Sequence, residues 1–193
     1  MQAGERTDSG QGFLIVAGSC SEATRRQNEW IERHGAASAV LDPIALISGS
    51  ELPRLPEGNV CLIRTASTPT DIERVGKWAQ DNGLTAAEAG LKIAYALAAL
   101  VSKTIALRPP AGLIVAGGET SSAICRTLSF GALEVGRNIE PGVPVCFPLG
   151  GLRAPLVLKS GNFGSDGFYG KAIEKIGAAS SSMTRAKFAP RRQ

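Results

Sequence analysis

The pentapeptide LIVAG occurs twice, at Leu14–Gly18 and at Leu113–Gly117, and each copy runs into small and hydroxylated residues, GSCSE (Gly18–Glu22) and GGETSS (Gly117–Ser122). An aliphatic, β-branched run closed by glycine reads as a buried strand. Ser19 and Glu22 have the spacing of a capping box, which predicts a helix start straight after the first copy. Each copy is then a strand, a tight turn and a helix. Two such units predict an α/β domain, with a largely parallel or mixed sheet flanked by helices. They could face each other across the point where strand order reverses, the place where open α/β sheets bind ligands. Recurrence of a common buried-strand composition accounts for the repeat equally well, so the remaining sequence has to decide.

Working outward, Ala23, Gln27, Trp30, Ile31 and His34 share one face of the first helix, with Gly35 as its C-cap. NVCLIRT (Asn59–Thr65) reads as another strand, and Thr68-Pro69 as an N-cap with proline at the first helical position. Ile72, Val75 and Ala79 line one face of that helix, and Asn82-Gly83 stops it. Thr85 and Glu88 form a second capping box, which opens a core helix reaching about Lys103. After GLIVAG (Gly112–Gly117) a helix is expected from Thr120 to Ser129. Leu133 and Val135, Val143 and Val145, and Leu156 and Leu158 then mark shorter strands. KSGNFGSDGF (Lys159–Phe168) leads into a last helix, Asp166 to Ile176. The expected organisation is a disordered extension over 1–12, one domain over 13–178 and a disordered basic tail over 179–193.

At 193 residues and 44% hydrophobic, the chain can bury a core without disulfides or metals. The formal net charge is +4, but Arg185, Lys187, Arg191 and Arg192 sit in the tail with no acid among them, so the body is nearly neutral. No aromatic residues alternate with basic ones as a nucleic-acid stacking platform requires, so no nucleic-acid partner is expected. Cys20, Cys61, Cys125 and Cys146 form no C-x-x-C pair, which fits reduced thiols and a cytoplasmic location. The longest apolar-rich stretch, Leu91 to Val101, reads as too short to cross a bilayer, so no membrane association is expected. His34 is the only histidine, so a histidine-based triad or a histidine-ligated metal cluster is excluded, and no metal-ligand set is expected. G-x-x-x-x-G-K-[ST] and G-x-G-x-x-G are both missing.

Three loops remain that can hold an anion on backbone N–H groups at a helix start: AGSCSE, AGGETSS and KSGNFGSD. Gly117-Gly118 permits positive φ and a close backbone approach, and Thr120, Ser121 and Ser122 can donate hydroxyl bonds to a phosphate oxygen. One such loop is an ordinary capped helix start. Three in one small domain, one preceded by Lys159, favour phosphate binding. Glu119 would repel a phosphate unless a Mg²⁺-bound water or a ribose hydroxyl stood between; alternatively, it serves the helix dipole as a first-turn acid.

Taken in order, GSCS, VAGGETS, EPGVPV and LKSGNFG make the chain, from Phe13 to Ile176, similar to the C-terminal nucleotide-binding domain of the four-carbon acid sugar kinase family. The resemblance implies ATP-dependent phosphorylation of a hydroxyl on a small sugar acid, with ATP and Mg²⁺ as cofactors. In that family a separate N-terminal domain with an Asp-Asp motif holds the sugar acid. No Asp-Asp occurs in this chain, so the resemblance implies the nucleotide half alone, inactive by itself. By resemblance Ser19 contacts ATP, Gly117, Gly118, Glu119 and Thr120 form the central loop, and Gly161 makes the last contact. Ser21 and Asn162 join that set. The implied partners are ATP and, through the missing domain, a four-carbon sugar acid, with a homo-oligomer left open. The rival expectation is a non-catalytic nucleotide-binding or interaction module.

Overall fold

The computed structural model describes residues 12–187, with side chains to residue 178. Except for Gly12, the expected N-terminal extension lies outside the described residues, as does the tail over 188–193. Seven strands form one sheet: β1 (Phe13–Ala17), β2 (Ala37–Leu41), β3 (Val60–Thr65), β4 (Gly112–Ala116), β5 (Leu133–Glu140), β6 (Val143–Pro148) and β7 (Leu156–Lys159). Their spatial order is β2-β3-β1-β4-β7-β6-β5. The first five in that order run parallel, and β6 and β5 add an antiparallel edge, so the sheet is mixed.

The two LIVAG copies are neighbours in perfect register: Leu14 pairs with Leu113, Ile15 with Ile114, Val16 with Val115 and Ala17 with Ala116. Strand alternation splits their side chains between two cores. Leu14, Val16, Leu113 and Val115 pack under the layer containing α2 (Pro43–Ser48), α4 (Ala86–Leu107) and α5 (Gly118–Thr127). Ile15, Ala17, Ile114 and Ala116 pack under α1 (Glu22–Arg33) and α6 (Phe168–Lys187). The helix after β1 therefore covers one face and the helix after β4 the other. The boundary between β1 and β4 is the switch point of the sheet, with the two loops side by side at its carboxyl edge.

Local signals explain most element starts. In α3 (Pro69–Asp81) and α4, Thr68 with Asp71 and Thr85 with Glu88 form complete capping boxes. Asp42 caps α2, with Pro43 at its first position. At α1 the expected Ser19–Glu22 box does not form. Ser21 is the cap instead, accepting from Thr24 N, because two serines two apart compete for one role and Ser19 turns toward Ser21 Oγ. His34, stacked on Trp30, caps the helix end, and Gly35 follows at φ 90°. The last helix continues to Lys187, through part of the stretch read as a disordered tail.

Helix α4 is longer than its apolar stretch suggested. By length and composition alone its 22 residues could cross a bilayer. Here Leu97, Ala98 and Val101 are fully buried against the sheet, which makes α4 a core helix. Leu91, read as a core position, is 47% exposed.

Candidate nucleotide site

Strands β1, β4 and β7 are consecutive and parallel, so their carboxyl ends deliver all three loops to one edge. The backbone ladder continues past the strands: Gly18 N donates to Ala116 O at 3.1 Å, and Gly117 N to Lys159 O at 2.9 Å. Glycine is required at 117, where φ is 122° and any Cβ would crowd Ser19 N and Thr120 Oγ1. At Gly18 an added Cβ would run into Thr120 Oγ1, and at Gly161 into Ser19 Oγ. These bare backbones let the loops touch.

Beside the loops opens a cleft of about 460 Å³. Its loop side holds Ser19, Gly117, Gly118, Glu119 and Thr120. Its other walls are largely apolar and come mainly from α3 and α4, including Ile72, Val75, Ile93 and Ala94. Of the five helices with described caps, only α5 lacks a side-chain cap, since Gly117 has no side chain to offer. Its first N–H groups therefore have no capping side chain at a helix start that lines the cleft, where the positive end of the helix dipole favours an anion. The Cβ-free surface of Gly90 on α4 gives Glu119 room: a Cβ there would sit 3.1 Å from Glu119 Oε2.

The third loop is anchored from several sides. Gln27 Nε2 on α1 donates to the carbonyls of Phe163, Gly164 and Ser165 at 3.0, 3.0 and 3.1 Å. Glu140 on β5 accepts from Ser165 N at 2.8 Å and Ser165 Oγ at 2.6 Å, and ion-pairs with Lys171 at 2.6 Å. The Lys171 ammonium and the Ser165 donors pull the Glu140 carboxyl down to about 2. Burial pushes the Cys20 thiol up, although Cys20 stands at the cleft between Ser19 and Ser21. The Thr68 hydroxyl lowers Asp71, which also lines the cleft and is committed to its capping box and to Arg74.

The structure thus gathers Ser19, Gly117, Gly118, Glu119 and Thr120 at the cleft, with Ser21 and Gly161 packed directly behind Ser19. Asn162 is exposed on the third loop and does not line the cleft. Of the three hydroxyls in GGETSS only Thr120 reaches it. Ser121 turns inward, its Oγ buried without a partner, and Ser122 faces solvent. The apolar wall was not foreseen, because Ile72 and Val75 have the spacing of an ordinary core face. The available signal was Gly76 and Gly90 inside two helices, where each costs about 1 kcal/mol relative to alanine. Both line the cleft. Among the described residues no group of three or more His, Cys, Asp or Glu could hold a metal ion.

Residues 14–169 match the family model described as the nucleotide-binding C-terminal domain. The chain is 35% identical over 173 residues to a 3-oxo-tetronate kinase of Pseudomonas fluorescens, covering 86% of this chain and 38% of that protein. It is 37% identical over 182 residues to a 3-oxo-tetronate kinase of Methylobacterium radiotolerans, covering 86% and 40%. With a 3-oxo-isoapionate kinase of Paraburkholderia graminis it shares 30% identity over 187 residues, covering 86% and 39%. It thus spans less than half the length of these curated relatives. A solved Haemophilus influenzae protein of the family DUF1537 superposes with a TM-score of 0.62 at 27% identity, covering 86% of this chain and 40% of that one. A Bordetella bronchiseptica protein, solved with bound citrate as a domain-swapped dimer, shares the fold at a TM-score of 0.67 and 20% identity, covering 86% and 41%. All three loops and both walls of the cleft fall within the matched residues, and the chain belongs to the nucleotide-binding C-terminal domain family.

Proposed function

We propose that this chain is the ATP-binding domain of a cytoplasmic kinase that phosphorylates a hydroxyl of a four-carbon sugar acid. The observation that carries the reading is the convergence of three strand-end loops beside an apolar cleft at the switch point. The apolar wall from α3 and α4 suits the adenine face, and the uncapped start of α5 suits the phosphates. Ser19, Gly117, Gly118 and Thr120 would hold the phosphate chain through N–H and hydroxyl groups, with Gly161 and Ser21 keeping Ser19 in place. Asn162 stands outside the cleft and would make its contact only from the rim.

Mg²⁺ would enter with the nucleotide, since it needs only one or two carboxylates besides phosphate oxygens. Glu119, which lines the cleft and has no hydrogen-bond or ion-pair partner among the described residues, is the residue that fits it. When bound, the ion would offset charge on the transferring phosphoryl group. The protein's own share is positioning: fixed N–H donors, a wall that excludes water from the base, and a glycine turn close enough to touch phosphate. Four free thiols suit a reducing compartment. The sugar acid and the residue that accepts its proton belong to the remainder of the longer relatives.

Calorimetry with ATP and Mg²⁺ tests the reading directly. Saturable binding in the micromolar to millimolar range is expected, with adenosine weaker than ATP. No heat at millimolar nucleotide would leave a module without nucleotide function as the better description.

A further inference from the structure

Lys159 ends β7 with only 2% of its surface exposed. Its ammonium donates to Ser160 O at 3.1 Å, Gly161 O at 3.2 Å and Thr24 Oγ1 at 3.3 Å, with the Phe168 ring 6.0 Å away. Among the described residues no carboxylate forms an ion pair with it. A buried cation without a counter-charge is costly, and an apolar side chain of equal length would fill the same space more cheaply.

The acceptors indicate what the cation organises. Thr24 Oγ1 donates to Gly161 O at 2.9 Å and accepts from Ser21 Oγ at 3.1 Å, and Ser21 Oγ in turn accepts from Ser19 Oγ at 3.2 Å. A continuous hydrogen-bonded path therefore joins the ammonium, through the cap of α1, to the serine at the cleft. The same ammonium grips the third loop at Gly161, whose missing Cβ makes room for Ser19.

We propose that Lys159 is a positioning residue of the phosphate site: it locks the Gly161 loop to the start of α1 and supplies, from beneath the loops, uncompensated positive charge that a polyphosphate neutralises on binding. This rests on the nucleotide reading above and adds the residue that sets its preference for charged ligands. Burial pushes the Lys159 ammonium down to about 8, so it is still largely cationic at neutral pH.

The test is calorimetry on the full chain with three probes, ATP, adenosine and tripolyphosphate, for wild type, Lys159→Met and Lys159→Arg. Lys159→Met is expected to weaken ATP and tripolyphosphate about tenfold or more and adenosine less than about threefold, the asymmetry a lost charge produces and a lost fold does not. Lys159→Arg, which keeps the charge, should recover most of the ATP affinity. If Lys159→Met does not fold, Lys159→Gln is read in its place. Equal losses for adenosine and ATP, no loss at all, or failure of both neutral variants to fold would each overturn the proposal. Wild type that binds tripolyphosphate but no adenine compound, with that binding lost in Lys159→Met, would sink the adenine reading and keep the lysine. Wild type that binds ATP, with Lys159→Met unchanged, would do the reverse. Wild type that binds neither polyphosphate would overturn both.

Discussion

Two glycines only 43 residues apart in sequence test opposite properties of the same site. A Cβ on Gly118, which lines the cleft, meets nothing within 4 Å, so valine there should not disturb the fold. Gly118→Val is expected to melt within a degree or two of wild type while losing about tenfold or more in ATP affinity, because the close approach of backbone to phosphate is blocked. A Cβ on Gly161 runs into Ser19 Oγ and lies 2.9 Å from Ser21 Oγ. Gly161→Ala should therefore lower the melting temperature by several degrees and weaken ATP together with it. Parallel thermal melts and titrations of the two variants check this. A Gly118→Val protein that unfolds yet binds normally when folded would reduce the α5 turn to a helix cap. The tight turn at Gly117-Gly118 was legible in the sequence, since paired glycines after an apolar run have few uses, and the structure places both beside the cleft. The burial of Lys159 was not, because a lysine after LVL reads as a strand end reaching solvent.

Among the elements, the antiparallel edge steadies the third loop from β5, the longest strand of the sheet. Glu140 on β5 holds the third loop through Ser165 and ties α6 through Lys171. Its carboxyl, lowered to about 2, is more acidic folded than unfolded, so its contribution is complete above the ordinary carboxylate range and disappears as pH falls from about 4.5 to 2. Glu140→Gln should cost about 1–2 kcal/mol at pH 7, discounted because Lys171 is half exposed, and almost nothing near pH 2. Urea melts at both pH values measure the difference; an equal loss at each would show that charge is irrelevant there. Element starts were legible wherever a cap signal stood alone, as at Thr68 and Thr85. They were misread where signals overlapped, as with Ser19 and Ser21. The sheet's reversal at β5 and β6 has no local signature, because strand direction is set by pairing rather than by composition.

For the whole molecule, the chain should bind nucleotide yet not turn over. A kinase must hold donor and acceptor in line, and the proposed cleft accounts for the donor only. In a coupled ADP-release assay over a panel of four-carbon sugar acids, rates are expected to stay at the background ATP hydrolysis level. Robust turnover by this chain alone would place an acceptor site within it and refute that division. The pairing of the two LIVAG strands also has a consequence for how the protein forms. β1 is synthesised before both of its partners, β4 roughly a hundred residues later, and both flanks of β1 stay unpaired until β3 and then β4 arrive. Until then an apolar strand with two open edges is exposed, and a second identical sequence, on a neighbouring nascent chain as readily as on its own, offers it the same in-register fit. Synthesis rate and chaperone supply should therefore govern the yield of soluble protein more than the stability of the finished fold does.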